Sequence, residues 1–310
     1  WEVKILSLKM KKMLSIPLSV WKRSHSSMEH PAELLVHSYL DACRHGSKSM
    51  SEKNIKSVVK HVEEAVRKQF NSEKTGKDFR LRASNIGKAA CQLWFQKNNP
   101  EAAISPPSHF LVRMMIGDIT EGVFKGMLKE AGVSFEDSGK VELNIAGEKI
   151  QGEFDLVLDG KVDDIKSASP WSYKNKWIDG ETVEKSDPFG YTGQLTVYAK
   201  AKGVEPGGWW VVNHSSGEFK YIKYTSDPDK VIKKLESTVK SLEGPFKRSY
   251  KPVKETFYGK EPGRYLLHIE GKFCNFRHTC WKDRLTEEAS KVSKAKNKPL
   301  VSYISMEGES

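Results

Sequence analysis

Long apolar runs are absent from this chain. No stretch of its 310 residues approaches the roughly 20 apolar residues that a membrane-spanning helix needs, so we expect no transmembrane segment. Cysteine is also scarce, and four cysteines in this length do not make a disulfide scaffold. We therefore expect a reducing compartment, the cytoplasm first, while organellar targeting stays open. Internal repeats and long low-complexity tracts are missing too, which leaves one large domain or a core domain with additions.

Acidic residues are outnumbered by basic ones. The chain has 51 Lys and Arg against 40 Asp and Glu, a net charge of +11, and a pI of about 9.2. Hydrophobic residues make up 38% and charged residues 29%, a composition typical of a soluble globular protein. The positive charge favours a polyanionic partner, a nucleic acid first and an acidic membrane surface second. A basic protein without such a partner is the alternative.

The N-terminal region divides into a basic opening and a helical stretch. Residues 1–27 are basic, and their apolar run Met13–Trp21 is short and broken by Pro17. A cleaved targeting segment is one interpretation; we favour the other, that the residues before Met10 are not the natural start of the protein. Two amphipathic helices are predicted over Pro31–Phe70, on either side of a break at Gly46.

The centre of the chain alternates helical and strand-like patterns. The predicted elements are a short helix with Cys91 after the cap Ser84, helix Phe110–Ala131, strands Val133–Ile145, Glu148–Leu158 and Lys161–Ala168, helix Phe189–Lys202, strands Gly208–His214 and Glu218–Thr225, and helix Pro228–Leu242. This α-β-β-β-α-β order predicts an α/β core with a mixed central sheet at residues 79–243. We expect a basic and helical N-terminal addition over 1–78. A loop-rich basic C-terminal region over 244–310 should carry a charged helix near its end and a cysteine pair that packs on the core.

Asp159–Gly160 separates two strand-like runs, which is a strong signal for a two-residue β-hairpin. The turn sets the register, and this register places Asp155 opposite Asp164. Alternation along the strands assigns one face to the core. That face carries Phe154, Leu156, Leu158 and Ile165. Asp163 falls on the same apolar face, so either it lies at the end of the sheet or the register is shifted by one residue.

The other face of the hairpin collects charges. Asp155 and Asp164 would have Cβ atoms about 4.5–5.5 Å apart, and like charges so placed destabilise a sheet unless a cation lies between them. A divalent ion that prefers hard oxygen ligands, Mg²⁺ or Mn²⁺, meets that need. Lys166 lies on the same face, so its ammonium can point at whatever the metal holds. Glu153 lies opposite Lys166, where we favour a plain cross-strand ion pair. A solvated face with ordinary charges is the alternative.

Three short motifs follow one another along the chain: Gly152-x-x-Asp155, Asp164-Ile165-Lys166 and Gln194-x-x-x-Tyr198. In this order they resemble the PD-(D/E)xK nuclease superfamily, and more narrowly its RecB-type branch. The helix before the sheet matches the first motif of that branch through Glu121, although Thr120 stands where several members have histidine. The likeness covers about Arg82–Lys223. D-x-K alone is a weak motif, whereas four motifs in order on the expected elements are much more specific.

The resemblance implies a restriction-endonuclease-like core and a metal-dependent nuclease. The metal ligands it implies are Glu121, Asp155, Asp164 and the backbone carbonyl of Ile165. Lys166 would orient or help to deprotonate the attacking water and offset negative charge on the phosphate. Gln194 and Tyr198, at i and i+4, share a helix face and would brace Lys166 or contact the phosphate. Ordinary helix packing is the alternative for these two.

The cysteines carry a second implication of the resemblance. Some nucleases of the branch hold an iron–sulfur cluster with one cysteine before the core and three after it, spaced C-x2-C-x5-C. Cys91 matches the upstream position, and Cys274 and Cys280 keep the x5 spacing. Glycine occupies the first downstream position, which leaves the fourth ligand open between Cys43 and His278. The likeness thus implies a structural 4Fe–4S cluster, with buried thiols or a decayed cluster as the alternatives.

The stretch Pro170–Lys185 is predicted to be a loop that is both aromatic and basic. Its candidate contacts to nucleic acid are Trp171, Tyr173, Lys174, Lys176 and Trp177. Aromatic rings stack on unpaired bases and lysines follow phosphates, so the loop is a candidate single-strand platform or wedge. Packing of the tryptophans on the core is an equal alternative.

The sequence as a whole therefore predicts a metal-dependent DNA nuclease. By analogy to the branch, we expect an exonuclease that acts on linear DNA ends or single strands, without a membrane partner. Two alternatives remain: a structure-selective endonuclease on the same core, and a nucleic-acid-binding subunit with a vestigial nuclease site. A protein partner bound by the N-terminal helices is a further hypothesis without support in the sequence.

Overall fold

The computed structural model describes residues 28–71, 79–256 and 263–306. The basic opening, with its targeting hypothesis, lies outside these residues. The helices are α1 (Pro31–Arg44), α2 (Glu52–Phe70), α3 (Ala83–Ile86), α4 (Ala90–Asn98), α5 (Phe110–Glu130), α6 (Pro170–Asn175), α7 (Gly180–Lys185), α8 (Tyr191–Lys202), α9 (Pro228–Ser241), α10 (Ile269–Lys272) and α11 (Arg277–Trp281). The strands are β1 (Glu136–Ile145), β2 (Glu148–Leu158), β3 (Lys161–Ala168), β4 (Glu205–Asn213), β5 (Phe219–Lys223), β6 (Val253–Lys254), β7 (Tyr265–Leu266), β8 (Leu285–Ala289) and β9 (Leu300–Ile304). None of the described helices is both long and apolar enough to cross a bilayer.

The central sheet has five strands in the order β1-β2-β3-β4-β5. β1, β2 and β3 form an antiparallel meander, β3 and β4 pair in parallel, and β4 and β5 pair antiparallel. The parallel pair needs a crossover connection, and α8 lies in it. The mixed sheet and the α/β class are therefore as the sequence predicted.

Two apolar layers cover the sheet. In one, α8 and α9 pack on it through residues such as Leu195 and Leu235. In the other, α1 and α5 pack on it through residues such as Val36 and Phe124. The two amphipathic helices predicted before the core are present as α1 and α2. Ser51 is the N-cap residue of α2, and its hydroxyl accepts a hydrogen bond from the backbone N–H of Asn54.

Several local predictions were wrong. Ser84 lies inside α3 rather than capping a helix, and Ala89 precedes the helix that carries Cys91. The stretch predicted as a loop contains α6 and α7, which begin at the caps Ser169 and Asp179. The C-terminal region holds a four-stranded sheet in the order β6-β7-β9-β8. Its charged stretch forms β8, and no α-helix follows Trp281 in the described residues.

Candidate active site

The hairpin turn is formed as predicted, but the ladder of hydrogen bonds ends early. Asp159 and Gly160 both have positive φ, 50° and 73°, as a type I′ turn requires. The pairs that follow are Leu158–Lys161, Val157–Val162 and Leu156–Asp163. Every residue of β2 and β3 is described, and the two strands form no further pair. Asp155 Oδ2 instead accepts a hydrogen bond from the backbone N–H of Ile165 at 2.6 Å. β2 and β3 therefore separate at the acidic residues, and the expected ladder pair of Asp155 and Asp164 does not form.

Asp163 is buried on the apolar face without a shift of the hairpin register, although the pairing of β3 with β4 is irregular between Val162 and Asp163. Its carboxylate accepts hydrogen bonds from Trp210 Nε1 and from the Tyr221 hydroxyl, each at 3.0 Å. These donors come from β4 and β5, so Asp163 does not need to lie at the end of the sheet. Burial raises the pKa of Asp163 to about 7. Phe154 was wrongly assigned to this face, since its ring packs in the layer of α8 and α9.

Asp155 and Asp164 form a pair of carboxyl groups at this point. Asp164 is 2% exposed, and Asp155 is half-buried. Burial, then the charges of Asp164 and Glu121, raise the pKa of Asp155 well above its ordinary value. Burial also raises the pKa of Asp164, against the opposing charge of Lys166. Like charges are thus concentrated at the point where the two strands separate.

Lys166 lies against this pair. Its Nζ is 2.5 Å from Asp164 Oδ2, a close ion pair. Lys166 Nζ also donates to Gln194 Oε1 at 3.3 Å, and Gln194 Nε2 donates to the Tyr198 hydroxyl at 2.9 Å. Burial lowers the pKa of Lys166, but the charges of Asp164 and Asp155 outweigh it and raise the pKa overall. Lys166 is therefore an ammonium.

The predicted ion pair of Glu153 with Lys166 is not formed. Glu153 is exposed and lies opposite Lys140 of β1, because the separation of β2 from β3 removes Lys166 from its side. The ammonium of Lys166 contacts Asp164 instead.

Gly152 allows α8 to approach β2. A Cβ at this position would lie 2.6 Å from Tyr198 Cε1 and 2.7 Å from the Cβ of Ala83, closer than packed atoms can approach. The close packing of Tyr198 and Ala83 therefore explains why position 152 is a glycine. It lets Tyr198, and with it Gln194, lie near Lys166.

Lys125 is a further charged residue that the motifs did not reveal. It is buried in α5, and its Nζ lies 2.7 Å from Glu121 Oε1 and 3.2 Å from Asp137 Oδ1. Burial lowers its pKa, but the charges of Glu121, Asp155 and Asp137 raise it overall. The Glu121–Lys125 spacing of i, i+4 is the usual one for a helical ion pair, and this spacing was visible in the sequence.

The donor chemistry at this point fits a divalent ion. The charges of Asp164 and Glu121 act on the carboxyl group of Asp155, and carboxylate oxygens are the ligands that Mg²⁺ prefers. The present side-chain positions are not those of a complete site, because no three His, Cys, Asp or Glu side chains of the described residues are grouped closely enough to hold a metal. Glu121 is instead paired with Lys125. Asp155 and Asp164 therefore fit the ion, and Glu121 would have to exchange its partner.

Three of the four cysteines lie together, away from the carboxyl pair. One cavity is lined by Cys91, Cys274 and Cys280. Gly271, which occupies the first downstream position of the predicted cysteine pattern, lines it as well. Cys43 lies elsewhere, in the layer of α1 and α5. The cavity measures about 20 Å³, enough for roughly one water molecule. Burial raises the pKa of Cys274 to about 12 and that of Cys280 to about 11.

These cysteines do not fit a four-ligand iron–sulfur cluster. Neither proposed fourth ligand is in place, since His278 points at Glu287, 3.5 Å from its carboxylate, and is absent from the described lining of the cavity. The thiols help to pack the C-terminal region on the core, where Cys274 and Phe276 contact Phe95 of α4.

The aromatic and basic residues after β3 are split between surface and core. Trp171 is 69% exposed, whereas Trp177 is 2% exposed and stacks on Tyr191 at 5.4 Å. Tyr173 is half-buried, with Lys220 Nζ 4.4 Å from its ring. The two lysines also differ, because Lys174 is exposed and the Lys176 side chain is 12% exposed. The five residues therefore do not form one platform.

Solved structures align with much of this chain at low sequence identity. No family model matches the chain, and no curated protein matches it. Among solved structures, SSO0001 aligns with a TM-score of 0.38 and 15% identity, over 74% of this chain and 96% of that chain. A protein from Eubacterium rectale provisionally named an exonuclease aligns with a TM-score of 0.35 and 12% identity, over 63% of this chain and 86% of that chain. Alignments at this level carry no argument about function, which must come from the site.

Proposed function

We propose that this protein is a metal-dependent nuclease that hydrolyses phosphodiester bonds in linear DNA, as an exonuclease. The observation that supports it is the pair of Asp155 and Asp164 with Lys166 against it, at the point where two strands separate. Buried like charges are costly to a fold, and groups with perturbed pKa values gathered at one place are typical of catalytic sites. We propose also that the core is restriction-endonuclease-like.

Asp155 and Asp164, with Glu121 and the carbonyl of Ile165, would hold Mg²⁺ or Mn²⁺. Such an ion, when bound, supplies an activated water and charge neutralisation at the phosphate.

The ammonium group of Lys166 acts beside the metal ion. Lys166 is protonated, so it donates hydrogen bonds to a phosphate oxygen and stabilises the charge that develops there. Gln194 holds the ammonium through its Oε1 and is itself fixed by Tyr198. These two residues therefore position Lys166.

One observation favours a second candidate, a nucleic-acid-binding subunit with a vestigial site. We call Glu121, Asp155 and Asp164 the acidic cluster. Two ammonium groups, those of Lys125 and Lys166, already contact its members Glu121 and Asp164. They neutralise two of its three carboxylates, which weakens the attraction for a cation. Binding of DNA would then persist without cleavage.

The decisive experiment is cleavage of end-labelled single- and double-stranded linear DNA, beside a closed circle, in Mg²⁺, in Mn²⁺ and in EDTA. We expect metal-dependent loss of the linear DNA alone, abolished in Asp164→Asn and Lys166→Met. Cleavage of the circle would favour the endonuclease. DNA binding without any cleavage would favour the vestigial site. Full activity of both variants would refute the site itself.

A further inference from the structure

A row of four aromatic rings runs from the core to the surface beside Lys166. Trp177 stacks on Tyr191 at 5.4 Å, and Tyr191 stacks on Phe189 at 5.5 Å. Phe189 then contacts Phe273 at 5.2 Å. Phe189 is 37% exposed and Phe273 is 48% exposed, and we call these two the aromatic pair. Phe273 belongs to the C-terminal region, so two parts of the chain build this surface.

Lys176 lies against Phe189 of the aromatic pair. Its Nζ is 4.6 Å from the centre of the Tyr191 ring and 5.2 Å from that of Phe189, distances at which an aromatic ring attracts a cation. Asp187 Oδ1 is 3.8 Å away, too far for a hydrogen bond, and that oxygen already accepts from the backbone N–H of Tyr191. Among the described residues the ammonium has no hydrogen-bond acceptor. The Nζ atom is thus buried beside the rings without a hydrogen bond, and the charges of Asp187 and Glu270 act on it. A side-chain movement that opens this position would let its N–H groups donate to an anion.

Lys176 also neighbours the candidate active site. Lys166 Nζ lies 4.9 Å from the same Tyr191 ring, so two ammonium groups contact one ring. If Lys166 meets the reacting phosphate, a second cation at this distance suits another phosphate of the same strand. The aromatic pair lies beyond it, towards solvent, where a base attached to that phosphate can stack.

We propose that Lys176 and the aromatic pair bind an unpaired nucleotide next to the reacting phosphate. The ammonium contacts the phosphate of that nucleotide, and Phe189 or Phe273 stacks on its base. Stacking on these rings requires a base outside a duplex, and a narrow single strand reaches a recessed ammonium where a duplex does not. The substrate is therefore single-stranded DNA or an unwound end. This inference rests on the proposed nuclease function for the identity of the neighbouring phosphate.

The test measures binding of a fluorescent oligothymidine, and of a blunt duplex, in EDTA over a series of salt concentrations. Phe273→Ala should weaken binding of the single strand about 5- to 150-fold, the range for one base–aromatic stack, without changing the salt dependence. Lys176→Met should flatten the salt dependence by about 0.7 in log–log slope, the value for one lost single-strand phosphate contact, and Lys176→Arg should restore it. Neither should alter duplex binding. Matched controls on α2, Phe70→Ala and Lys60→Met, should bind like the wild type.

Each outcome decides the inference. Wild-type affinity in Phe273→Ala together with an unchanged salt slope in Lys176→Met would overturn it, as would failure of the wild type to bind the single strand. Thermal unfolding of each variant separates a lost contact from a lost fold, and Lys176→Arg remains informative if Lys176→Met does not fold. Cleavage of the same oligothymidine in Mg²⁺ tests the proposed function separately. A protein that binds through Lys176 and Phe273 without cleaving would refute the nuclease and leave the nucleotide site standing.

Discussion

Replacing Lys125 by methionine should destabilise the metal-free protein and make its stability depend more strongly on divalent metal. The Lys125 side chain is 6% exposed and neutralises Glu121, so its removal leaves a carboxylate without its partner beside Asp155. Breaking a buried ion pair in this way costs about 3–5 kcal/mol. Because Glu121 is 22% exposed and keeps some hydration, we expect the lower end, about 3 kcal/mol. Methionine fills a similar volume, so the loss is electrostatic.

Divalent metal should offset most of that loss. A ligand at 100 times its dissociation constant stabilises the folded state by about 2.7 kcal/mol, and Glu121 without Lys125 is free to join Asp155 and Asp164. Urea unfolding followed by tryptophan fluorescence, in EDTA and in Mg²⁺, measures both terms. The matched control is Lys129→Met on the same helix. Its ion pair with Asp137 is 2.7 Å long but 35% and 51% exposed, so the loss should be at most about 1 kcal/mol and independent of metal.

A Lys125→Met variant as stable in EDTA as the wild type would contradict this prediction. Equal stabilisation of variant and wild type by Mg²⁺ would contradict it too, because Lys125 would then not compete with the metal for Glu121.

Three further predictions follow from the structure. Gly152→Ala should lower the free energy of unfolding by about 1–3 kcal/mol through overpacking and lower the cleavage rate by displacing Tyr198. The control is Gly117→Ala, where an added Cβ meets nothing within 4 Å and stability should not fall; urea unfolding and a cleavage assay measure both variants. Asp155→Asn should stabilise the metal-free protein increasingly as the pH rises: burial and the charge of Asp164 raise the pKa of Asp155 when folded, so the wild type loses stability as this group ionises, at 1.36 kcal/mol per unit of pKa shift. A difference in unfolding free energy between variant and wild type that is the same at about pH 5 and at about pH 8 would contradict this. Protein purified without oxygen should contain far less than one iron–sulfur cluster per chain by iron analysis, because only three thiols line the small cysteine cavity; stoichiometric iron would contradict it.

Local chemistry explains which features the sequence could predict. The turn at Asp159–Gly160 needs two residues of positive φ, and this dipeptide is well suited to both. Once the turn is fixed, the first three pairs of the hairpin follow from counting. Likewise, i and i+4 spacing alone places Gln194 and Tyr198 on one helix face, and they make contact there. Such features depend on a few neighbouring residues, so one sequence is enough to find them.

Tertiary contacts explain the errors. Trp171 and Trp177 are six residues apart in one aromatic stretch, and only the packing of α8 and β4 decides that Trp177 is buried. Phe273 lies 84 residues after Phe189, and no local pattern connects the two. The C-terminal sheet contains two strands of two residues each, too short to show an alternating pattern.

The separation of β2 from β3 resolves the apparent conflict of a hairpin with like charges on one face. A continued ladder would hold Asp155 and Asp164 as direct neighbours, at a distance where like charges oppose pairing. The strands part instead, and the backbone N–H of Ile165 loses its partner across the hairpin. Asp155 Oδ2 replaces that partner at 2.6 Å, so this carboxylate stabilises the separated strands. Repulsion between the two carboxyl groups therefore accounts for the separation of the strands, and Lys125 and Lys166 neutralise the neighbouring Glu121 and Asp164.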